Sequence, residues 1–456
     1  NYMTTGRVYQ TVIAKERSLE YGGRCVEVVP HVPEEVIRRI KKAAKHAKAD
    51  VVLVEVGGTV GEYQNLLFLE AARMMKLQDP RSVLFVLVSY LPIPAKVGEM
   101  KTKPTQYAVR TLNSTGIQPD FIICRSSQSV DEPRKRKLAI FCNMKDEDII
   151  SAPDIDSIYQ VPLNFEKDSI GEKIMKKFGL RSRRHDLKDW KKFVHSITAA
   201  KKPVKIAMVG KYFATGDFVL ADSYISVIEA IKHAAWSFGA KPALTWINAE
   251  EYEKNPGKLK ELSGFDGVLI PGGFGARGVE GKIRAIEYVR KHKIPYFGLC
   301  YGMQLATVEF ARHAAGLKGA HTGEINPKSP ALVINVMSDQ AKNLAVKKYG
   351  GSMRLGAYKC RLKKGTLAYS AYQKDLISER HRHRYEFNNQ YRELLAEKGL
   401  VFSGLNPERD LVEIIELSKT AHPWFVGVQF HPEFQSRPLH PHPLFKAFIK
   451  AALAKK

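Results

Sequence analysis

The run Pro295-Tyr296-Phe297-Gly298-Leu299-Cys300-Tyr301-Gly302-Met303-Gln304 decides how the second half of this chain is read. An apolar stretch enters Gly-x-Cys-x-Gly and leaves as a helical pattern, with apolar side chains at Met303, Leu305, Ala306, Val308 and Phe310. Strand, tight turn, helix is the order of a nucleophile elbow, here with sulfur in place of a serine oxygen. The flanking glycines keep side chains out of a crowded turn. Cys300 then opens a helix, where backbone N–H groups favour a thiolate. A nucleophile needs a base, and Gln429-Phe430-His431-Pro432-Glu433 puts an imidazole and a carboxylate two residues apart after another apolar run. That is the order of a Cys-His-Glu triad: Cys300, His431, Glu433. Val268-Leu269-Ile270-Pro271-Gly272-Gly273-Phe274-Gly275 adds a strand ending in a glycine-rich loop, able to offer N–H groups to an oxyanion. A cysteine between glycines is often only a small packed side chain. The functional reading therefore rests on all three segments together.

The chain has 456 residues, enough for two or three domains, and its 44% hydrophobic content suits buried cores. No run approaches a membrane span and the first residues carry no apolar signal core, so the expected location is the cytoplasm, without a membrane partner. The five cysteines (Cys25, Cys124, Cys142, Cys300, Cys360) are odd in number, widely spaced and free of Cys-x-x-Cys pairs, which argues against a disulfide framework or a zinc site. A formal charge of +25 suits polyanions such as nucleotides. No RNA-recognition, zinc-finger or helix-turn-helix signature turns that charge into a nucleic-acid module.

The first ~165 residues alternate helical patterns (33–48, 64–77, 104–115) with apolar runs read as strands (Val51–Val56, Val83–Val88, Phe121–Cys124, Ile149–Ser151), the alternation of a parallel sheet covered by helices. A lysine- and arginine-rich stretch follows, including Arg183 and Arg184, and is read as a charged interdomain linker over 176–202 between domains at 1–175 and 203–456. A second α/β alternation runs from the strand at 204–209 through helix 224–237, strand 267–270, helix 279–292, the elbow and the strand Trp424–Phe430 to a terminal helix over 443–454. Two loops of the first half carry chemistry. Glu55 stands at an expected strand end before a glycine-rich turn reaching Glu62, where a carboxylate can hold a Mg²⁺ bridging phosphates. Lys101-Thr102-Lys103-Pro104-Thr105-Gln106 leads into a helix and so sets ammonium and hydroxyl groups beside free N–H donors, an anion site.

The elbow, the Gln429–Glu433 segment and the Pro271–Gly275 loop resemble a class I glutamine amidotransferase. Thr4 to Arg7, Glu55 to Glu62, Lys101 to Gln106, Phe141 to Asn143, Asp156 to Tyr159, Arg277 to Gly281 and Glu379-Arg380-His381-Arg382-His383-Arg384-Tyr385-Glu386 extend the resemblance, in order, to the CTP synthase family over almost the whole chain. It implies a P-loop-NTPase-like (Rossmann-like) synthetase domain, incomplete at its N-terminus, followed by an α/β amidotransferase domain. The implied activity is ATP-dependent amination of UTP to CTP, with ammonia from glutamine. Implied glutamine contacts are Gly273, Tyr301, Gly302, Met303, Gln304, Glu324 and Arg384, the guanidinium suiting the α-carboxylate and Glu324 the α-ammonium. Lys101, Thr102, Lys103, Pro104, Thr105, Gln106 and Lys137 would hold UTP or bound CTP. Glu62, Tyr63 and Gln64 would read the pyrimidine of inhibitory CTP, Asp154 and Ile155 would meet the ATP base, and Glu55 would bind Mg²⁺. Arg277, Gly278 and Glu280 fall on a lid linked to activation by GTP. The family also implies a homotetramer.

The chain departs from the family at Tyr301, where Leu is usual, and at Tyr63 and Gln64. It also lacks a P-loop: Gly210-Lys211, Gly257-Lys258 and Gly281-Lys282 have neither a following Ser or Thr nor a glycine five residues upstream. By comparison with the family, ~85 residues carrying the P-loop and a first magnesium-binding Asp are expected to be missing, leaving the phosphate site half built. Two alternatives follow, a chain acting only as a glutaminase and a structural subunit of a CTP synthase assembly. The Glu55–Glu62 and Lys101–Gln106 loops speak against the first, the complete triad against the second.

Overall fold

The computed structural model describes residues 2–181, 186–211, 224–336 and 354–455, with the short strands 214–215 and 218–219. It divides into two compact units, Asn1–Asp186 and Leu187–Lys456. The first opens with helices α1 (Thr5–Arg17), α2 (Val28–Ala47) and α3 (Leu66–Gln78), packed through Val8, Val12, Val32, Val36 and Ala71. Then β1 (Val86–Tyr90), α4 (Lys103–Ser114), β2 (Phe121–Ser126), α5 (Glu132–Cys142) and β3 (Ile149–Pro153) alternate. The three strands form a parallel sheet in the order β1-β2-β3, Val86 opposite Phe121 and Ile122 opposite Ile149. Leu87, Val109, Ile122, Cys124 and Leu138 are buried between the sheet and its crossover helices.

The run Val51–Val56, expected as a strand, is not one: it is irregular, and Val51 to Val54 are exposed, Leu53 at 95%. An apolar β-branched run becomes a strand only where a ladder receives it. Among the described residues of this unit the sheet comprises β1, β2 and β3 alone.

The unit boundary falls between Asp186 and Leu187. Helix α8 (Lys188–Ala199), inside the stretch read as a linker, follows the short helices α6 (Val161–Glu166) and α7 (Ile170–Lys177). Its Phe193 and Val194 are buried, and Phe193 meets Trp236 edge-on at 5.8 Å, so this stretch packs as part of the second unit. Arg183 and Arg184 lie outside the described residues.

The second unit is built on one nine-stranded sheet. In chain order its strands and the main helices are β4 (Lys202–Gly210), α9 (Ile225–Trp236), β5 (Ala240–Asn248), α10 (Ala249–Lys254), β6 (Gly267–Ile270), α11 (Val279–Lys291), β7 (Tyr296–Leu299), α12 (Tyr301–His313), β8 (Arg354–Leu362), β9 (Leu376–His383), β10 (Leu400–Leu405), β11 (Val412–Leu417), β12 (Phe425–Val428) and α13 (Pro443–Ala454). Their spatial order is β9-β8-β10-β11-β12-β7-β6-β4-β5. Pairings from β12 through β5 are parallel and those from β9 to β12 antiparallel. Alternation along β7 feeds both faces: Tyr296 enters a core with Ile283 and Met303, while Phe297 and Leu299 enter one with Ile231, Phe445 and Phe448. Strand β5 and the antiparallel half of the sheet had no counterpart in the sequence reading.

Candidate active site

Cys300 and His431 are 131 positions apart in sequence, yet they end neighbouring strands. Strands β7 and β12 run parallel with Leu299 opposite Val428, and the Cys300 N–H donates to the Val428 carbonyl at 2.6 Å. On the other side of β7, Ile270 of β6 pairs with Gly298, which delivers the Pro271–Gly275 loop to the same edge. Three carboxyl ends of parallel strands thus converge, the position where α/β sheets build sites.

The turn itself depends on missing side chains. A Cβ on Gly302 would lie 2.3 Å from the Ile270 carbonyl oxygen, and one on Gly298 2.7 Å from the Gly302 carbonyl carbon. Cys300 has φ +48° and ψ −97°, a conformation that non-glycine residues seldom adopt and that packing must hold. It forms the N-cap of α12.

His431 Nδ1 lies 2.7 Å from Glu433 Oε1, and the face of the imidazole stacks on Phe434. Burial disfavours the imidazolium, but the neighbouring Cys300 sulfur and the Glu433 carboxylate outweigh it and raise the His431 pKa well above the ordinary histidine range. With Nδ1 turned to Glu433, Nε2 is left for the sulfur, the arrangement that lets histidine exchange a proton with a thiol and then with a leaving amine. Gly272 closes the group: a Cβ there would be 2.8 Å from His431 Cε1 and 3.6 Å from Cys300 Cβ.

The expected glutamine contacts gather here. The Gly275 N–H donates to Glu324 Oε1 at 2.7 Å, and the Tyr301 hydroxyl donates to the Gly275 carbonyl at 2.8 Å. Gly273 faces the Tyr301 ring. Burial raises the Glu324 pKa, opposed by the Gly275 N–H, Lys211 and Arg384, so a guanidinium and a carboxylate share the pocket. Gln304 is buried, as are Gly302 and Met303. Two lysines escaped the sequence reading except as rejected P-loop pairs. Lys211 Nζ donates to the Phe274 carbonyl, and the buried Lys282 sets its ammonium 5.3 Å from the Tyr301 ring centre. Burial and then Lys211 lower the Lys282 pKa to about 8. Gln429, two residues before His431 and outside the expected set, lies fully buried with its Nε2 3.6 Å from Cys300 Sγ.

The residues expected on a lid are engaged within the second unit. Arg277 forms a two-pronged ion pair with Glu250 of α10, at 2.5 and 3.0 Å, and Arg312 reaches both oxygens of Glu280 at 3.0 and 2.8 Å. Gly278, at φ +69°, caps α11.

In the first unit, Lys101 and Lys137 meet around a carboxylate absent from the expected set, Glu99. Lys101 Nζ lies 2.6 Å from it and Arg134 3.5 Å; Lys101 first, then Arg134 and Lys137, hold the Glu99 carboxyl below its usual range. Lys103 and Pro104 begin α4, Thr105 shares a buried 2.8 Å hydrogen bond with Ser89, and Gln106 donates to the Thr102 hydroxyl. Asp154 and Ile155 follow β3, with Asp154 accepting from Arg125 at 2.9 Å. Glu62 accepts from the Thr59 N–H and from Gln64, and Tyr63 is 92% exposed. Glu55 lies exposed in the irregular run. Among the described residues no group of three or more His, Cys, Asp or Glu could hold a metal. A lone carboxylate still fits Mg²⁺ as a ligand shared with substrate phosphates and water.

Two family models match the chain: CTP synthase N-terminus over residues 1–180 and glutamine amidotransferase class-I over 219–451. A CTP synthase of Caldanaerobacter subterraneus is 49% identical over 453 residues, 99% of this chain and 82% of that protein. One from Pyrococcus abyssi is 48% identical over 452 residues, with the same coverage. Among solved structures, the glutaminase domain of a Trypanosoma brucei CTP synthase with bound acivicin is 35% identical, with a TM-score of 0.51, covering 56% of this chain and 95% of that one.

Proposed function

Since the chain belongs to the CTP synthase family, we propose that it aminates UTP with ammonia cut from glutamine at Cys300, at the expense of ATP. The observation that carries the glutaminase half is the junction of β7 and β12, which sets Cys300 beside a histidine already oriented by Glu433. The thiolate attacks the side-chain carbonyl carbon of glutamine. The S–C bond forms, the C–N bond breaks as His431 passes its proton to nitrogen, and ammonia leaves. Water, deprotonated by His431, then cleaves the thioester to glutamate. N–H groups of the Gly272–Gly273 loop and of Tyr301 are suited to the oxyanion. Glu324 and Arg384 receive the α-ammonium and α-carboxylate.

In the synthetase half, ATP phosphorylates the 4-oxygen of UTP and ammonia displaces the phosphate, giving CTP, ADP and phosphate. Phosphorylation turns a poor leaving oxygen into a good one. Lys101 to Gln106 and Lys137 hold the UTP phosphates, with Glu99 a carboxylate that they release. Asp154 and Ile155 meet the ATP base, and Glu62 to Gln64 read the pyrimidine of CTP. Bound Mg²⁺, held by Glu55 and the phosphates, would neutralise charge developing during phosphoryl transfer. GTP acts through Arg277, Gly278 and Glu280, the assembly is a homotetramer, and the enzyme works in the cytoplasm. Among the described residues no helix is long and apolar enough to cross a membrane. Relatives that match both units in one chain weigh against a glutaminase-only or purely structural role.

The test compares nitrogen donors. Cys300→Ala is expected to abolish glutamine hydrolysis and glutamine-dependent CTP formation while ammonia still supports CTP formation. Persistent glutamine hydrolysis in that variant would remove Cys300 from the mechanism.

A further inference from the structure

We propose that Gln429 is a catalytic residue of the glutaminase site, its side-chain N–H holding the Cys300 sulfur as a thiolate. The proposal rests on Cys300 being the nucleophile. Gln429 and His431 follow β12 where the chain bends, and both reach the Cys300 sulfur, while Phe430 between them packs into the core beside His381. One strand end therefore supplies the sulfur with two partners, an imidazole and an amide.

The amide can point only one way. Gln304, also buried, donates from Nε2 to the Tyr385 carbonyl at 2.9 Å, which only accepts, and so identifies that end of Gln304 as the NH₂. The same Nε2 donates to Gln429 Oε1 at 3.2 Å, which leaves the NH₂ of Gln429 facing Cys300 Sγ at 3.6 Å. Reversing Gln429 would set two NH₂ groups against each other and turn a carbonyl toward a thiolate. The Gln429 backbone is fixed as well, its N–H donating to the Glu413 carbonyl at 2.8 Å. A dry, pre-aimed N–H costs no reorganisation when the sulfur ionises, and hydrogen bonds to charged partners are the strong ones. With both N–H bonds of Gln304 spent in the interior, its Oε1 is what it can offer to a substrate.

The test reads sulfur ionisation directly. The full chain and its Gln429→Met variant are alkylated with iodoacetamide across pH, and the Cys300 peptide is followed by mass spectrometry so that exposed Cys25 does not interfere. Methionine keeps the length and burial but carries no donor. Near neutral pH the variant's Cys300 should react about five- to tenfold more slowly, the loss of one charge-assisted hydrogen bond, and regain the parent rate at high pH. The kcat of glutamine hydrolysis should fall in proportion with glutamine KM within about twofold, the pattern of a group acting after binding. Gln429→Glu should be slower still, since a carboxylate would face the thiolate. A folded Gln429→Met protein with the parent alkylation profile overturns the proposal and makes Gln429 a space-filler. If that variant does not fold, Gln429→Leu, which also carries no donor, makes the same test, and an unchanged Cys300 profile there equally overturns the proposal. Failure of Cys300 as nucleophile would appear separately, as glutamine hydrolysis by Cys300→Ala.

Discussion

Cys300 owes its position to a backbone conformation few side chains tolerate, and its surroundings are tied to it by single hydrogen bonds whose removal can be measured. The bond from Tyr301 to the Gly275 carbonyl, with the Gly275 N–H on Glu324, clamps the glycine-rich loop through both backbone groups of one residue. Tyr301→Phe should lower stability to denaturant by about 1 kcal/mol, the net worth of one such bond, and lower kcat/KM for glutamine several-fold. An unchanged kcat/KM would mean that the loop holds its place without the clamp. Arg384 shares the pocket of Glu324, and Arg384→Ala should raise the glutamine KM about tenfold or more with a smaller change in kcat, as expected when a charge-assisted contact to substrate is lost. A normal KM would place the carboxylate elsewhere. The meeting of Cys300, His431 and Glu433 was legible because each stands in a short run whose pattern carries its expected chemistry. Gln429 could not be singled out, because an amide has no signature until its partners, Gln304 and Cys300, are seen around it.

Among the elements, most parallel strands and their helices could be read because apolar runs alternate with helical periods; the half-buried edge strand β5 offers no such run. The antiparallel half could not: β9 reads Leu-Ile-Ser-Glu-Arg-His-Arg-His, and its buried positions are Ile377, Glu379, His381 and His383, so the inward face is mostly polar. That face belongs to a buried ionisable network. Arg354 of β8 lies 2.6 Å from Glu413 of β11 and 3.5 Å from Glu386; His381 Nε2 lies 3.6 Å from Glu413, and His381 meets His383 at 2.8 Å. Burial, partly offset by Arg354, raises Glu413 to about 7 and Glu386 to about 8, while burial lowers His381 and His383. For the carboxyls, the folded protein holds protons that the unfolded chain releases above the ordinary value of 4.5, so stability falls as pH rises from there through 7 to 8. The histidines act in the opposite sense, since the unfolded chain takes up protons below 6.5 that the folded one refuses, and stability falls as pH drops. Between 4.5 and 6.5 the two effects oppose each other, so the network's net loss of stability lies above that window, where only the carboxyls still titrate, and below it, where only the histidines do. Melting temperatures measured across pH should decline on the alkaline side in the parent and decline less in Glu413→Gln. An equal decline in both would show that Glu413 is ionised when folded.

For the whole molecule, charge separates the two halves of the reaction. The chain carries 72 Lys and Arg against 47 Asp and Glu. Its expected substrates differ sharply: UTP and ATP are polyanions, whereas glutamine is a zwitterion with no net charge. A positive field raises the local concentration of polyanions, and salt shortens its reach from about 30 Å at 0.01 M to about 10 Å at 0.1 M. The near field is explicit at Glu99, where Lys101, Arg134 and Lys137 surround one exposed carboxylate and could exchange it for phosphate. The expected glutamine pocket is instead half-buried, so its Glu324 and Arg384 are screened less by bulk ions. Raising ionic strength from about 0.02 M to about 0.3 M should therefore increase the KM for UTP several-fold and leave that for glutamine within about twofold. Arg134→Gln should shrink the UTP response. If both KM values rise together, the +25 charge acts on the whole protein and not on the nucleotide sites, and its explanation lies in solubility.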